Sequence, residues 1–373
     1  MQTTAERGGA EYANVDMLDA LADRGAQATL LTNLPDLADG TGVTVRPIDL
    51  GPKLGRRSLA RVAAGMLPWT VRLRRALRRE AAAAPIDCTL LHFKKEQFMT
   101  PLLSRRVAGR IVWAEWGPLP GPLTRAPFRQ IYRLAARSAD HILAVSQNTA
   151  DSLHAIGIPA DRITVVPPVV PAHRLRFDPL KRARQRAEWG ASDGTFVIGC
   201  VSRLSNSKRV DVLIDALDHL DGDVLVVVGG SGEALPRLQA AAAAHPGRVR
   251  FEPSVRGRVV EVLSACDVQV FAPQPQEGLP RSLALGMLME RPIVATADNG
   301  TAGLLAPEAI VSPAHDPAAL ARTLDAYRAD PARRRREGAA LRRRALERFD
   351  PDTTVATITR GLTGSSAVAR AGA

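Results

Sequence analysis

The chain has 373 residues, of which 46% are hydrophobic and 24% are charged, which predicts buried cores for two or three domains and excludes wholesale disorder. Lys and Arg number 50 against 38 Asp and Glu, and the net charge of +12 favours partners that carry phosphate, whether nucleotides or anionic membranes. Aromatic residues make up only 4%, which argues against the stacking surfaces that hold single-stranded nucleic acid, so nucleic acid is not an expected partner.

The first half of the chain alternates strand-like and helix-like segments. Short aliphatic runs predict buried parallel strands at 28–31, 88–92, 110–114, 141–145 and 163–166. Amphipathic stretches at 12–24 and 127–139 predict helices between them. No strand is evident before the glycine-containing loop at 7–10. Either the chain as given starts after the first strand, or the first sheet lacks that strand.

The same alternation returns after residue 194. Strands are predicted at 196–201, 224–228, 268–271 and 293–295, and a helix at 210–220. Residues 167–194 are rich in proline and charge, which predicts a linker with one short helix. The fold class is therefore predicted to be α/β, with doubly wound parallel sheets. The predicted domains are a Rossmann-like domain over 1–170, a linker over 171–194, a second Rossmann-like domain over 195–350, and a C-terminal helix with a frayed tail over 351–373.

The cysteines, the lengths of the apolar runs and the N-terminus indicate the cellular compartment in which the protein is expected. Cys88, Cys200 and Cys266 form no Cys-x-x-Cys pair, and the seven histidines lack ligand spacing, so we predict reduced core thiols and no metal site. No apolar run reaches the roughly 20 residues that span a bilayer, and the N-terminus lacks the apolar stretch of a signal peptide. These patterns predict a soluble, cytoplasmic protein.

Two cations follow the first strand of the second half. Arg203 and Lys208 lie five residues apart in the loop after 196–201, and doubly wound folds bind ligands at the carboxyl ends of their strands. A diphosphate there could be held by the guanidinium as a fork and by the ammonium as a point charge. The alternative is a pair of ordinary surface cations.

A second candidate site lies where the strand at 268–271 passes into a helix. Gly278, Leu279 and Pro280 lie where that helix begins. The backbone amides at a helix N-terminus, together with the helix dipole, favour binding of a phosphate. Glu277, just ahead, can accept hydrogen bonds from sugar hydroxyls. The alternative is a structural turn in which Glu277 caps the helix. The glycine loop at 229–232 is by itself typical of a tight turn.

The ordered segments GGAE, SRLSNSK, VVVGGSGE, QEGLPRSL and RPIVAT make the chain resemble the family-4 retaining glycosyltransferases of GT-B fold. The resemblance covers nearly the whole chain and is strongest over 196–316. It implies two Rossmann-like domains that face each other across a cleft, with the acceptor bound by the N-terminal domain at 1–170 and the nucleotide-sugar donor held mainly by the C-terminal domain at 195–350. It implies no required metal or other cofactor.

The resemblance also implies site residues. Arg203 and Lys208 fall where the family neutralises the donor diphosphate, and Glu277 falls on the first acid of its paired-glutamate motif, which contacts the donor sugar. The other matches are loop or pocket positions: Gly8 and Gly9 on a phosphate-facing loop, Ser254 and Val255 near the nucleobase, and Gly278, Leu279 and Pro280 along the donor site.

Three positions depart from the family pattern. Leu285 occupies the place of the second glutamate, which usually accepts hydrogen bonds from the ribose, and losing that pair costs about 1.5–3 kcal/mol of donor affinity unless another group substitutes. Residues 299–303 lack the acid of a Gly-Gly-x-x-Glu segment. The histidine that faces the reacting sugar has no clear match, and Glu115 is the nearest candidate for a catalytic group.

A basic amphipathic segment lies at 51–80. It carries nine cations and the single acid Glu80, with aliphatic residues and Trp69 between them. Such a segment can lie on an anionic membrane, where each cation contributes about 1 kcal/mol. The alternative is a helix packed on the sheet with a solvated arginine face. The first interpretation predicts peripheral contact with the inner membrane face.

These patterns together predict a hexosyl-type glycosyltransferase. It would move a sugar from a nucleotide-diphosphate-sugar donor to a hydroxyl acceptor, and the resemblance implies retention of configuration. No side-chain pair has the nucleophile-and-base spacing of a double displacement, which fits the family mechanism, in which the acceptor attacks on the leaving-group face. The acceptor is expected to be a natural product, such as an antibiotic intermediate, or a lipid phosphate. The alternatives are a catalytically weakened relative that serves as a partner or scaffold, and a nucleotide-sugar epimerase of the same fold.

Overall fold

The computed structural model describes residues 1–3, 8–52, 54, 58–172, 175–253, 255, 257–273, 281–296, 305, 309–311 and 315–364. The chain divides into two compact units. Unit 1 comprises Met1–Val169 together with Pro351–Ala373, and unit 2 comprises Val170–Asp350. Each unit is a parallel β-sheet structure flanked by helices, which confirms the predicted α/β class.

The strands of unit 1 form a pair and a four-stranded sheet. The pair is β1 (Thr29–Thr32) with β2 (Thr44–Pro47), and the sheet is, in order, β3 (Cys88–Leu91), β4 (Arg110–Glu115), β5 (His141–Ala144) and β6 (Ile163–Val165). All the pairings are parallel. Apart from β2, which was not predicted and is mostly exposed, these strands begin and end within two residues of the predicted runs, because continuous aliphatic runs are what a sheet covered on both faces requires.

Residues 1–3 lie between β1 and β3. A doubly wound domain is expected to have its first strand before the glycine loop at 7–10. Gln2 forms a parallel bridge with Thr32, and its backbone N–H donates to the carbonyl of Leu31 at 2.9 Å. On the other side, the Met1 ammonium donates to the carbonyl of Leu90 at 2.6 Å. These few residues therefore connect the strand pair to the four-stranded sheet.

Helices cover both faces of these strands. In chain order they are α1 (Gly9–Ala22), α2 (Leu59–Ala83), α3 (Lys94–Phe98), α4 (Arg105–Ala108), α5 (Phe128–Arg137) and α6 (Gln147–His154). The long helix α2 buries Val62, Leu73 and Leu77. Its other side is exposed and carries both arginines and apolar side chains, among them Leu67 and Val71.

Unit 2 contains a six-stranded parallel sheet in the order β12–β11–β10–β7–β8–β9. The strands are β7 (Phe196–Val201), β8 (Val224–Gly229), β9 (Val249–Glu252), β10 (Val268–Phe271), β11 (Ile293–Thr296) and β12 (Ile310–Val311). The helices are α7 (Pro179–Trp189), α8 (Val210–Asp215), α9 (Leu235–Ala242), α10 (Val259–Ala265), α11 (Arg281–Leu288), α12 (Pro317–Ala329) and α13 (Pro331–Arg348).

Part of the predicted linker is a packed helix of unit 2. Asp178 caps α7 by accepting from the backbone N–H groups of Leu180 and Lys181. Arg182 then donates to the last carbonyls of α10, those of residues 264–266, and to the carboxylate of Asp267 at 2.6 Å. Proline and charge in this stretch therefore reflect a capped, anchored helix, and the unit boundary lies between Val169 and Val170.

The chain returns to unit 1 after α13. Helix α14 (Pro351–Thr363) buries Val355 and Ile358 in a core that also contains Met17 and Leu143. The segment predicted as a separate C-terminal helix is thus part of the N-terminal unit. Residues 365–373, predicted as a frayed tail, lie outside the described residues.

Candidate functional site

The strand order of unit 2 reverses between β7 and β10. The chain runs from β7 to β8 and β9 on one side and then returns to β10 on the other. The loops after β7 and β10 therefore diverge, and open α/β sheets bind ligands in the crevice that such a switch point leaves at the carboxyl edge. The predicted cations follow β7, and Glu277 with its neighbours follows β10 in the chain.

Lys208 lies at this switch point. Its Nζ is 5.7 Å from the centroid of the Phe271 ring, which ends β10. Burial raises the pKa of the Cys200 thiol in β7 to about 11, and the positive charge of Lys208 acts in the opposite direction. The ammonium is therefore close to the ends of both strands, and its role in holding a diphosphate stays a prediction.

The glycine loop after β8 fixes the backbone that carries Arg203. A Cβ on Gly230 would lie 2.0 Å from the carbonyl oxygen of Ser202, and one on Gly232 would lie 2.3 Å from that of Leu204. Both glycines have positive φ, and the N–H of Leu204 donates to the carbonyl of Ser231 at 2.8 Å. The glycines are thus required for close backbone approach, and Arg203 projects as an exposed side chain from a braced loop.

Leu285 lines a small apolar pocket beside the end of β7. The pocket's other lining residues are Val201, Val255, Val259, Val262, Leu263 and Ser282. Leu285 is 5% exposed, so its side chain is part of the core of this wall. No carboxylate is among the described lining residues. Aliphatic groups cannot pair with the hydroxyls of a ribose.

Several predicted donor contacts lie outside the described residues. They are Ser254, Glu277, Gly278, Leu279 and Pro280, together with residues 299–303. Of the predicted donor positions, Arg203, Lys208 and Val255 are described in unit 2.

Glu115 ends β4 at the carboxyl edge of unit 1 and is part of a buried network. Its carboxylate accepts from the ammonium of Lys94, and its Oε1 lies 2.6 Å from the hydroxyl of Tyr132. Lys94 Nζ also lies 3.0 Å from that hydroxyl. Burial lowers the pKa of Lys94, opposed by the charge of Glu115, and burial raises the pKa of Tyr132 well above its ordinary value. Both carboxylate oxygens of Glu115 are therefore occupied by protein groups.

The glycine pair before α1 already has an anion beside it. The N–H of Gly8 donates to Oε2 of Glu11 at 3.0 Å, and Glu11 is buried in the first turn of the helix that Gly9 begins. A carboxylate there complements the helix dipole. A phosphate that approached Gly8 would have to displace it.

His92 lies beside the same sheet edge but was not among the predicted site residues. It directly follows β3, is buried, and accepts through Nδ1 from the indole N–H of Trp116 at 3.4 Å. The two rings stack with centroids 6.5 Å apart, and burial lowers the pKa of the imidazole well below its ordinary value. The sequence feature that could have pointed to His92 is the polar run at 94–97, which follows a buried strand.

The described residues contain no group of three or more His, Cys, Asp or Glu side chains arranged to hold a metal ion. None of the helices in this part of the chain is both long and apolar enough to cross a membrane.

Two family models match the chain. The model described as Glycosyltransferase Family 4 matches residues 7–174, and the model described as Glycosyl transferases group 1 matches residues 195–330. A D-inositol 3-phosphate glycosyltransferase of Xylanimonas cellulosilytica is 27% identical over 95% of this chain and 91% of its own length. A GDP-mannose-dependent alpha-(1-6)-phosphatidylinositol monomannoside mannosyltransferase of Mycolicibacterium smegmatis is 35% identical over 38% of each chain.

Solved structures share the fold. Anabaena HepE in complex with UDP-glucose superimposes with a TM-score of 0.79 at 20% identity, over 97% of this chain and 99% of that one. Sucrose-phosphate synthase of Thermosynechococcus elongatus gives a TM-score of 0.76 at 16% identity, over 92% and 90%. Because two glycosyltransferase family models match consecutive parts of the chain, and structural neighbours share its GT-B fold, the chain is a glycosyltransferase with a family-4 match in its N-terminal half and a group-1 match in its C-terminal half.

Proposed function

We propose that this glycosyltransferase moves a sugar from a nucleotide-diphosphate-sugar donor to a hydroxyl group of its acceptor, with retention of configuration. The observation that carries the donor assignment is the position of Lys208 beside the end of β10, on the same braced loop as Arg203. Two cations at a switch point suit a diphosphate better than a neutral ligand. The complex of the structurally similar HepE with UDP-glucose supports this choice of donor class.

The proposed reaction needs no protein nucleophile. The bond between the anomeric carbon and the diphosphate oxygen breaks, and its electron pair stays on the diphosphate. The acceptor hydroxyl forms the new bond on the same face of the sugar, and its proton passes to the departing phosphate oxygen. Arg203 and Lys208 stabilise the charge that develops there, so we propose that no metal ion is required. Glu277 and residues 278–280 stay predicted contacts of the donor sugar.

The test is a matched set of neutral variants. Arg203→Gln and Lys208→Gln should each lower kcat about 10²–10³-fold, the usual effect of losing one such charge-stabilising group. Product formation is followed by mass spectrometry over a panel of nucleotide sugars. Arg322→Gln removes an exposed arginine from α12 and should leave kcat unchanged. Undiminished turnover in both site variants would overturn the donor assignment.

Leu285 favours a second candidate function, that of a weakened relative that acts as a partner or scaffold. Its apolar surroundings offer a ribose little to pair with. A donor at about 100 times its Kd would stabilise the protein by about 2.7 kcal/mol. A rise in melting temperature with at least one nucleotide sugar supports the enzyme; no rise with any of them supports the scaffold.

For the acceptor, we propose a lipid phosphate reached at an anionic membrane surface. The first support is α2, where Arg72, Arg75 and Arg79 line an open groove of about 740 Å³ with Leu67 and Val71. The second is the exposure of Leu67 and Val71, at 69% and 38%. Apolar side chains flanked by arginines suit the boundary between acyl chains and anionic headgroups. This surface implies peripheral association with the membrane.

A further inference from the structure

An apolar wall adjoins the loop that carries Arg203 and Lys208 in unit 2. It begins at the last residue of β7, two positions before Arg203. Its other parts come from the segment after β9, from the start of α10 and from α11. It therefore stands at the carboxyl end of β7, where an open α/β sheet binds its ligand. We call the following five residues the apolar wall: Val201, Val255, Val259, Ser282 and Leu285.

The members of the apolar wall form one surface. A Cβ on Gly229, the last residue of β8, would lie 2.9 Å from Cγ1 of Val255 and 3.1 Å from Cγ2 of Val201, so the two valines pack over the same strand end. Leu285 is buried, whereas the other four side chains are half-buried and present part of their surface. The recess between them has a volume of about 10 Å³, which is room for about one water molecule. A ligand would therefore lie against the wall and not inside it.

The apolar wall has little capacity for hydrogen bonding. Only Ser282 among its members has a polar side-chain atom. Two charged side chains close to it in the chain are bound to other groups: Glu252 accepts from the indole N–H of Trp189 at 2.9 Å, and Arg258 donates to Oε1 of Gln185 at 2.7 Å. In the part of the chain that the structure describes, the wall therefore offers a ligand one hydroxyl and no carboxylate.

The chemistry of the donor decides which of its two ends suits the apolar wall. A diphosphate held by Arg203 and Lys208 has the nucleoside on one side, joined through the 5′ carbon of its pentose, and the transferred sugar on the other. The transferred sugar carries hydroxyls around its ring, and burying them against aliphatic groups without partners costs free energy. A base and its pentose present larger apolar faces. The apolar wall therefore suits the nucleoside.

The number of hydroxyls on the pentose then selects the class of nucleotide. Ribose carries hydroxyls on its 2′ and 3′ carbons, whereas 2′-deoxyribose carries only the second. A site built to hydrogen-bond a hydroxyl rejects the analogue that lacks it, because the polar groups of the site are then left unpaired. The apolar wall has the single hydroxyl of Ser282 for the two of a ribose, so loss of the 2′ hydroxyl leaves no group of the wall unpaired.

We propose that the apolar wall holds the nucleoside of the donor, and that the enzyme binds 2′-deoxyribonucleoside diphosphates as tightly as their ribonucleoside counterparts. The proposal rests on the proposed function, since Arg203 and Lys208 hold the diphosphate in both. It extends the donor class to sugars activated by deoxyribonucleotides, and it makes Val255 and Val259 determinants of nucleotide specificity.

The experiment is isothermal titration of the full chain with pairs of nucleoside diphosphates that share a base and differ only at the 2′ carbon. The bases are uracil, thymine, adenine and guanine. For each base that binds, the two Kd values should agree within about threefold. A site that bonds the 2′ hydroxyl would favour the ribonucleotide at least about tenfold. This ratio is measured on the wild-type protein and depends on no variant.

Three conservative variants locate the effect. Val255→Thr and Val259→Thr each place a hydroxyl on the apolar wall at nearly unchanged volume. Each should raise the preference for the ribonucleotide about three- to tenfold, because the 2′ hydroxyl gains a partner. Val260→Thr makes the same change at a half-buried position of α10 that does not line the wall, and it should leave the ratio unchanged. The melting temperature of each variant shows that it is folded.

A preference of tenfold or more for the ribonucleotide in the wild type overturns the inference and leaves the proposed function standing. The inference also fails if Val255→Thr and Val259→Thr both keep the wild-type ratio, because the nucleoside then lies elsewhere. If no diphosphate of either series binds the wild type, the proposed function itself has failed.

Discussion

Lys94 and Glu115 show how a charge is tolerated inside unit 1. Glu115 is 4% exposed. Its carboxylate contacts both the ammonium of Lys94 and the hydroxyl of Tyr132. Such a pair gives little net stability, but removing one partner leaves the other charge buried and uncompensated. Glu115 was predicted as a catalytic group. Because it also pairs with Lys94, any test of catalysis must distinguish a loss of activity from a loss of stability.

Lys94→Met should therefore lower the free energy of unfolding by about 3–5 kcal/mol, read as a lower urea midpoint. Adding Glu115→Gln to it removes the stranded charge and should recover part of that loss. A cost below about 1 kcal/mol for the single variant would show that the pair is not electrostatically coupled. Turnover of Glu115→Gln alone, measured while the protein is folded, then tests the catalytic prediction by itself.

At the scale of elements, α13 packs on the end of α11 through a glycine. A Cβ on Gly338 would lie 2.0 Å from the carbonyl oxygen of Glu290, in the turn that follows α11. That oxygen is backbone and cannot move aside as a flexible side chain could. The two helices therefore approach as closely as they do because position 338 has no side chain.

Gly338→Ala should destabilise unit 2 by about 1–3 kcal/mol through overpacking, although the same change in an unobstructed helix stabilises by about 1 kcal/mol. The measurement is the melting temperature. Ala339→Gly, one position on in α13, isolates the helix-propensity effect and should cost about 1 kcal/mol. A higher melting temperature for Gly338→Ala would contradict the close packing.

At the scale of the whole molecule, the excess positive charge is carried by two very different helices. Helix α2 combines exposed arginines with exposed Leu67 and Val71. Helix α13 also carries exposed arginines, including Arg335 and Arg343, but exposes Leu346 as its one large apolar side chain among the described residues. A membrane contact that depends on both charge and apolar surface should use α2.

Replacing Arg75, Arg78 and Arg79 of α2 by Gln should weaken binding to phosphatidylglycerol vesicles about 100-fold, at about 1 kcal/mol per cation. Co-sedimentation gives the affinity. The matched control replaces Arg335, Arg343 and Arg348 of α13, which removes the same charge and should change binding only a few-fold. Equal losses in the two triple variants would mean that net charge alone, and not this surface, attracts the membrane.

The strands were the most predictable part of the fold, because an aliphatic run is a local property. The run at 196–201 became β7 without change, whereas β4 extends one residue further than predicted, to Glu115. A charged residue ends such a run in sequence, and the burial of Glu115 is made acceptable by Lys94 and Tyr132, which lie elsewhere in the chain. The short helix predicted in the linker is α7, but spacing could not show what anchors it, because the partners of Arg182 lie more than 80 positions along the chain.

In the candidate site too, local features were predictable and long-range contacts were not. The loop after β7 was predicted because ligands bind at the carboxyl ends of parallel strands, and the glycosyltransferase class predicted from the resemblance is confirmed. The role of the glycine loop as a brace for Arg203 depends on contacts between loops after different strands, which spacing cannot show. The hydrogen bond from Thr3 to Glu96 joins the beginning of the chain to a residue some 90 positions later, and no local pattern connects them.

The return of α14 to unit 1 has a consequence for biosynthesis. Unit 2 is encoded between the two parts of unit 1, and at about 5–20 residues per second a ribosome finishes it before α14 has been made. The sheet formed from the early residues must therefore wait, with the apolar surface that Val355 and Ile358 later cover still open to water. During that interval the nascent protein is a natural client for a chaperone.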